Sequence, residues 1–320
     1  MLSAMRRFAL CLAPFLFFGC PGTNTDLSVP DQDADNDPPD AAVEAEAGPV
    51  KPLKVLTLNT LNFFNDKDDS NDPLAEEIVS AAEYQQHLAA VSGILTQLDP
   101  DVAILQEVEN QAVVDDVAAQ VGGYAHTAIT EGNDPRGIDI AVLSKHPFQV
   151  APSHKGEFFQ ASSDPSQTFT FSRDVLEVHM IFNQRHVALL GIHYKANDSD
   201  PESDVKRLAE AERTREIVTG IHYDDPSTAI VVLGDFNCAP GSDPMNALLG
   251  TPPIKLASAT ASMPESERWS VNFGGVHQLY DDQIANENAA AMVEPGSVQI
   301  PHGLNDGSDH DPVIVTYLVN

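Results

Sequence analysis

Apolar residues come in two arrangements along the chain: unbroken runs that stop on a polar residue, and stretches where they recur every three or four positions. Residues 53–59 (LKVLTLN) are of the first kind and read as a short buried strand ending on Asn59 and Thr60. Residues 82–98 are of the second kind, with Leu88, Val91, Ile94, Leu95 and Leu98 on one face of an amphipathic helix. The sequence DPD breaks that helix, and VAILQE begins another strand that ends on Glu107. The same rhythm predicts strands over 137–144, 174–182, 186–193, 228–235 and 312–319. A helix is predicted over 203–221, with Leu208, Ala211, Ile217 and Ile221 as its apolar stripe, and a short one over 244–250. Strands that are apolar on both faces need cover on both sides. The economical arrangement is of the α+β class: a four-layer α/β sandwich of two packed, mainly antiparallel β-sheets flanked by helices.

The run VVLGDFNCAP, residues 231–240, ends on an acid and an amide with only Phe236 between them. Side chains alternate along a strand, so Asp235 and Asn237 are expected on one face and Phe236 on the other, locking the turn into the core. Polar residues also close the other runs: Asn59, Glu107, His193, and the GSDHDP segment with Asp309 and His310. Each alone is an ordinary turn or surface residue. Together, acids, amides and histidines at one edge of a sandwich suit metal-assisted phosphoester hydrolysis. A hard divalent ion takes oxygen ligands, and in-line attack needs an activated water and donors facing the phosphoryl oxygens.

The ends of the chain change the picture. Residues 1–19 have a basic start, Arg6 and Arg7, then an apolar run and Gly19, the build of an export signal too short for a comfortable membrane span. LFFGC resembles the lipobox of bacterial lipoproteins, which implies cleavage before Cys20 and acylation there; plain secretion with Cys20 as an incidental thiol is the alternative. Residues 20–50 form an acidic, proline-rich tether with no Lys, Arg or aromatic residue and are expected to be disordered. The remaining domain, 51–320, has 15 basic and 40 acidic residues, a net charge of about −25. So acidic a surface is a poor candidate for tight binding of nucleic acid by counterion release. The domain's one cysteine, Cys238, leaves no internal disulfide and no cysteine metal site, and reads as a small packing residue.

The ordered set TLNTLNFF, LQEVEN, RGIDIAVLSKHP, GIHYKAN, VVLGDFNCAP and GSDHDPVIV resembles the endonuclease/exonuclease/phosphatase superfamily, of which deoxyribonuclease I is a familiar member, and RGID with HYKAN resembles its exported bacterial members. The resemblance spans nearly the whole domain and implies its fold and a divalent ion, Mg²⁺ with Mn²⁺ or Ca²⁺ as alternatives. Under it Glu107 matches the principal metal ligand, Asn59 the amide near metal and phosphate, and Asp309 an acid beside the metal. Asp235 matches the acid that orients or activates water, and Asn237 the amide that holds phosphate. His310 matches the histidine bonded to phosphate or serving as base, and His193 the second active-site histidine. An Asp is expected behind His310 in a strand reading LDxI. QLYDDQIAN offers Asp281 and Asp282, and spacing to Ile284 favours Asp282.

Arg136 and Lys195 are either surface charges or contacts to substrate phosphate. The remaining histidines, His154, His179 and His186 among them, fit no helical ligand spacing and read as ordinary residues. The expected protein is an exported monomer, extracellular or held in the cell envelope by a lipid anchor, that hydrolyses nucleic acid or another phosphodiester. A phosphomonoesterase or phospholipase-like activity is the alternative within the superfamily, and an inactive surface binding protein the alternative outside enzymes.

Overall fold

The computed structural model describes residues 49–68 and 77–320, so the leader, Cys20 and all but the last two residues of the tether lie outside the described residues. In chain order the first part comprises β1 (Lys51–Phe63), α1 (Ala81–Leu98), β2 (Val102–Val108), α2 (Gln111–Val121), β3 (His126–Thr130) and β4 (Asp139–Ser144). Next come β5 (Gln149–Val150), the hairpin β6 (Phe159–Ala161) and β7 (Asp164–Phe169), β8 (Leu176–Phe182), β9 (Arg185–His193), α3 (Pro201–Asp224), β10 (Ala229–Asp235) and α4 (Asp243–Leu249). The last part holds β11 (Ala257–Ser258), the hairpin β12 (Val271–Phe273) and β13 (Val276–Gln278), β14 (Asp281–Ala285), α5 (Glu287–Ala290) and β15 (Val313–Val319).

One sheet has the order β15-β1-β2-β4-β3 and the other β11-β14-β10-β9-β8-β5. Pairing is parallel between β1 and β2 and between β9 and β10, and antiparallel elsewhere. The expected α+β sandwich of two mainly antiparallel sheets is what forms. Strand alternation divides the core into layers. Leu53, Val55, Val102, Ile104, Val187, Leu189, Val231 and Leu233 pack between the sheets. Their neighbours Leu56, Leu58, Ala103 and Leu105 face outward onto Leu88, Val91 and Leu95 of α1 and Val113 and Val117 of α2. On the other side Leu190, Ile192, Ile230 and Val232 meet Ala211, Ile217 and Val218 of α3 and Met245 and Leu248 of α4. Fully burying each such side chain contributes about 1.5–3 kcal/mol, which makes this layering strongly specified.

The predicted elements are present, with β1 extending to Phe63 and α3 to Asp224. Helix α2 was not anticipated; Asn110 caps it by accepting hydrogen bonds from the backbone of Ala112 and Val113. Cys238 is buried in the outer core beside Met245, as expected of a packing residue. No helix among the described residues is long and apolar enough to cross a membrane.

Candidate active site

The layer between the sheets is apolar over most of its depth and turns polar at one end. The inward-facing series Val55 of β1 continues to Thr57 and Asn59, and that of β10 runs Val231, Leu233, Asp235. Register brings three strands into one row, with Asp235 opposite His193 of β9 on one side and Asp281 of β14 on the other. Cross-strand partners point to the same face, so His193, Asp235 and Asp281 converge. Asp282 lies opposite Gly234, on the other face. There its carboxylate accepts from the hydroxyls of Ser258 (2.5 Å) and Thr260 (2.8 Å). Asp281, not Asp282, stands behind His310, with Oδ2 2.6 Å from the ring Nδ1. The alternation of Asp281, Gln283 and Ala285 carried that signal; spacing to Ile284 pointed to the wrong neighbour.

Glu107 reaches the site by a different device. Gln106 pairs with Ile140 and Val108 with Asp139, so Glu107 is the extra residue of a bulge, with φ of 63°. Simple alternation would have sent its side chain to the helix side. Instead its carboxylate accepts from Asn59 Nδ2 (3.1 Å) and from the backbone N–H of Asn62 (2.7 Å). The second N–H of the Asn59 amide serves Asp235 Oδ2 at 3.1 Å, so this amide ties an acid of each sheet together. Asn237 departs from the strand rule as well. β10 stops at Asp235, and Asn237 returns to it through a left-handed turn with φ of 50°. Its backbone N–H donates to Asp235 Oδ1 (2.8 Å), and its Nδ2 to Asp235 Oδ2 (3.2 Å) and to Tyr194 O (3.1 Å). Phe236 is buried among the outer core with its ring edge-on to Tyr194, as anticipated. Backbone held in this sparsely populated region costs about 1–3 kcal/mol per residue, and such residues cluster at functional sites.

Asp235 Oδ2 lies 3.6 Å from His193 Nε2 and 3.9 Å from His310 Nε2, and His193 Nε2 is 3.7 Å from Glu107 Oε1. Burial pushes the Asp235 carboxyl up to about 7, although His310 opposes the rise. Burial works against a charge on His310, but the Asp281 and Asp235 carboxylates more than offset it and raise the ring to about 10. His193 is driven well below the usual histidine value by burial and by the positive fields of Arg173, His310 and Arg136. The two histidines thus differ: His310 is an imidazolium and His193 a neutral ring at neutral pH. His193 Nδ1 and Asp281 Oδ1 are buried without a partner among the described residues, the mark of a site that meets further polar groups.

At the rim, Asp309 is 46% exposed, 3.8 Å from His310 Nε2. Arg136 is half exposed, paired with Asp134, and joins the site through Asn62 Oδ1 at 3.3 Å. Lys195 turns its ammonium to Asp198 at 2.7 Å and does not join the central group. Sequence reasoning missed Arg173, a buried guanidinium that bonds Asp134 (2.8 Å) and Tyr194 O (3.1 Å) and bears on His193. It precedes a predicted strand without any motif of its own. Buried Glu210 of α3 was missed too; it accepts from the backbone of Ser172 (2.6 Å) and Lys195 (2.7 Å), holding two loops beside the site.

A family model described as the endonuclease/exonuclease/phosphatase family matches residues 56–292. The chain belongs to this family. Members of this family are phosphoester hydrolases, and this activity class is the chain's; dependence on a divalent metal is general among the members. No curated protein matches the chain in sequence. Truncated TDP2 of Caenorhabditis elegans matches in structure with a TM-score of 0.56 at 17% identity, over 84% of this chain and 98% of that one. The human Nocturnin catalytic domain with bound sulfate matches at 0.54 and 15%, over 84% and 95%. ANGEL2, a 2',3'-cyclic phosphatase in complex with adenosine-2',3'-vanadate, matches at 0.56 and 12%, over 84% and 96%. At these identities the likeness is one of fold.

The residues present fit a divalent ion. Ligand atoms of Asp235, Asp281 and His310 lie within 4.8 Å of one another, but the protonated His310 ring is no ligand, and the fit rests on the acids across from it. The Glu107 carboxylate, 12% exposed beside the Asn59 amide, offers the oxygen-rich and solvent-reachable setting that a hard cation prefers.

Proposed function

We propose that the chain is a divalent-metal-dependent phosphodiesterase, a nuclease acting outside the cytoplasm with Mg²⁺ as its ion. The observation that carries this reading is the convergence on Asp235 Oδ2 of one cationic and one neutral histidine and the amides of Asn59 and Asn237. Glu107, with Asn59 and Asp309 beside it, would hold the ion, which when bound polarises a phosphoryl oxygen and neutralises charge there. Asp235 takes the proton of the attacking water, because a carboxylate raised toward neutrality is an effective base. Asn59 and Asn237 fix its two oxygens. His310, backed by Asp281, presents positive charge where negative charge builds on the phosphoryl group. His193 donates a neutral hydrogen bond to the same group. Arg136 and Arg173 supply a positive margin on an otherwise acidic domain, and Lys195 can swing from Asp198 to extend it. The leader-like first 19 residues and the Cys20 tether support an exported protein, lipid-anchored or free.

Hydrolysis of plasmid DNA, RNA, a chromogenic phosphodiester and a chromogenic monoester, with Mg²⁺ or with chelator, tests the reading beside His310→Ala. Mg²⁺- and His310-dependent cleavage of nucleic acid is expected. Turnover of the monoester alone would move the assignment to a phosphatase. Activity on none of them, nor on phospholipid vesicles, by a folded chain would refute the enzyme reading.

A further inference from the structure

The bend that carries the chain past Asn59 is held from outside the sheet by a histidine of α1. After Asn59 the pairing of β1 with β2 shifts, and Leu61 and Asn62 take left-handed φ values of 55° and 50°. The bend serves the site: Asn59 Oδ1 accepts from the backbone N–H of Leu61 (3.0 Å), and the N–H of Asn62 donates to Glu107 (2.7 Å). Thr60, between them, is fully buried, and a buried carbonyl needs a donor. His87 Nε2 supplies it, 2.7 Å from Thr60 O. A carbonyl can only accept, so Nε2 carries a hydrogen. The imidazole lies against Phe63, with ring centroids 4.2 Å apart and planes 25° from parallel, which fixes its tilt.

The same ring meets the segment that carries His310. Gly307 has φ of 83°, and a β-carbon there would come within 3.1 Å of His87 Cδ2 and 3.0 Å of Ala90 Cβ, so the chain passes directly over α1 at this point. Ser308, the next residue, donates its hydroxyl to Asn59 O (2.6 Å) and accepts from the backbone N–H of His310 (3.0 Å). One side chain of α1 thus abuts both the bend after Asn59 and the turn before His310, and Ser308 ties the two together. The helix is a firm base for this: Ser80 and Glu83 close it with a capping box, and Leu88, Val91 and Leu95 anchor it in the core. His87 follows Tyr84 by three positions and precedes Val91 by four, so it occupies the buried stripe where an apolar residue is expected. A Leu or Phe would fill that volume; only the donor aimed at Thr60 O distinguishes the histidine.

We infer that His87 is a positioning residue of the catalytic centre: by holding the Thr60 carbonyl and seating Gly307, it sets the Asn59 amide and the His310 ring in place. It bonds backbone and acts through the residues it holds. The inference rests on the phosphoesterase reading of that centre, and its mark is that the donor at position 87 counts for more than the volume.

Steady-state hydrolysis by the full chain, together with NMR of its histidine ring nitrogens, tests this. His87→Phe keeps the surface that stacks on Phe63 and drops the donor, His87→Asn is too short to bring its donor to Thr60 O, and His87→Gln keeps a donor near the position of Nε2. His87→Phe and His87→Asn are each expected to lower kcat about tenfold, the lower end of what groups behind a metal site contribute, with KM little changed. His87→Gln should recover most of that loss, and the comparison survives if either of the other two does not fold. In the wild-type spectrum the His87 proton should sit on Nε2. The His310 Nδ1 proton, bonded to Asp281, should change its shift in His87→Phe or His87→Asn and return toward the wild-type position in His87→Gln. That readout needs no turnover, so a wild-type chain that cleaved no phosphoester would end the functional reading and leave this one to be decided by the spectrum. Wild-type kcat in His87→Phe, equal loss in all three variants, or a His310 signal indifferent to residue 87 would overturn the proposal.

Discussion

The two ends of the layer between the sheets are built from the same strands and do opposite things. Where Leu53, Val55, Val187, Leu189, Val231 and Leu233 face one another, nothing polar is left to solvate and the sheets simply adhere. One or two residue pairs farther along, the same inward faces carry Asn59, His193 and Asp235. The difference teaches that chemistry was added to this fold by continuing a core stripe with polar residues at the strand ends. Gln283 marks the boundary. It faces inward and is buried, but its amide is fully used by the carbonyls of Val55 (2.9 Å) and Val313 (3.2 Å) and the hydroxyl of Tyr317 (3.0 Å). A satisfied buried amide belongs to the adhesive end, whereas His193 Nδ1 and Asp281 Oδ1, which lack partners among the described residues, belong to the other.

The sharpest test exchanges damage between the two ends. Asp235→Asn should lower kcat by about 10³–10⁴-fold in a steady-state assay while the melting temperature stays put or rises, since a buried acid is removed from the site. Leu233→Ala, two residues back on the same face, should do the reverse. It is expected to cost about 2–5 kcal/mol in urea unfolding with near-normal kcat for the folded fraction. If both variants failed in both measurements, the division would be false.

The adjacent acids of β14 repeat the comparison on a smaller scale. Asp281→Asn should reduce kcat by about 10–100-fold, in the range seen for groups that orient a ligand or catalytic ring. Asp282→Asn should leave kcat alone and cost about 1–3 kcal/mol of stability through its Ser258 and Thr260 bonds. Smaller again, Arg136→Gln should raise KM a few-fold at low salt and less at high salt, as expected of a half-exposed charge.

A pH titration separates Glu177 and the histidines bonded to it, His154 and His179, from both ends of the layer. Glu177 is lowered in the folded chain from 4.5 to about 2, so its contribution is complete above pH 4.5 and is lost as pH falls through 2. His154 is raised despite its burial, by Glu177 and Glu157, so its contribution is complete below 6.5 and is lost as pH rises through its folded value. Unfolding midpoints of Glu177→Gln and wild type should therefore differ most between pH 4.5 and 6.5 and converge toward pH 2. A constant difference at every pH would contradict this linkage.

Much of this was legible in the sequence because it is periodic. Apolar runs and stripes located the principal strands and helices, and the polar residue that ends each run located most of the candidate site. What escaped depended on the backbone leaving its period or on pairing between distant strands. Glu107 faces the site only because of its bulge, and Asn237 only because of a left-handed turn. Asp281 follows from register with β10, and Arg173 and Glu210 from the way loops fold over α3. No periodicity of the chain encodes the distances at which these residues converge.

The Asn59 amide, with one hydrogen bond to Glu107 in the first sheet and one to Asp235 in the second, has a meaning for folding as well as for chemistry. Neither sheet owns a complete centre, so turnover works as a gauge of how the two sheets are docked. A chain softened by mild denaturant could keep its strands and its circular dichroism and still fall silent, because a gap of an ångström across that amide would part the two halves before either sheet had come undone.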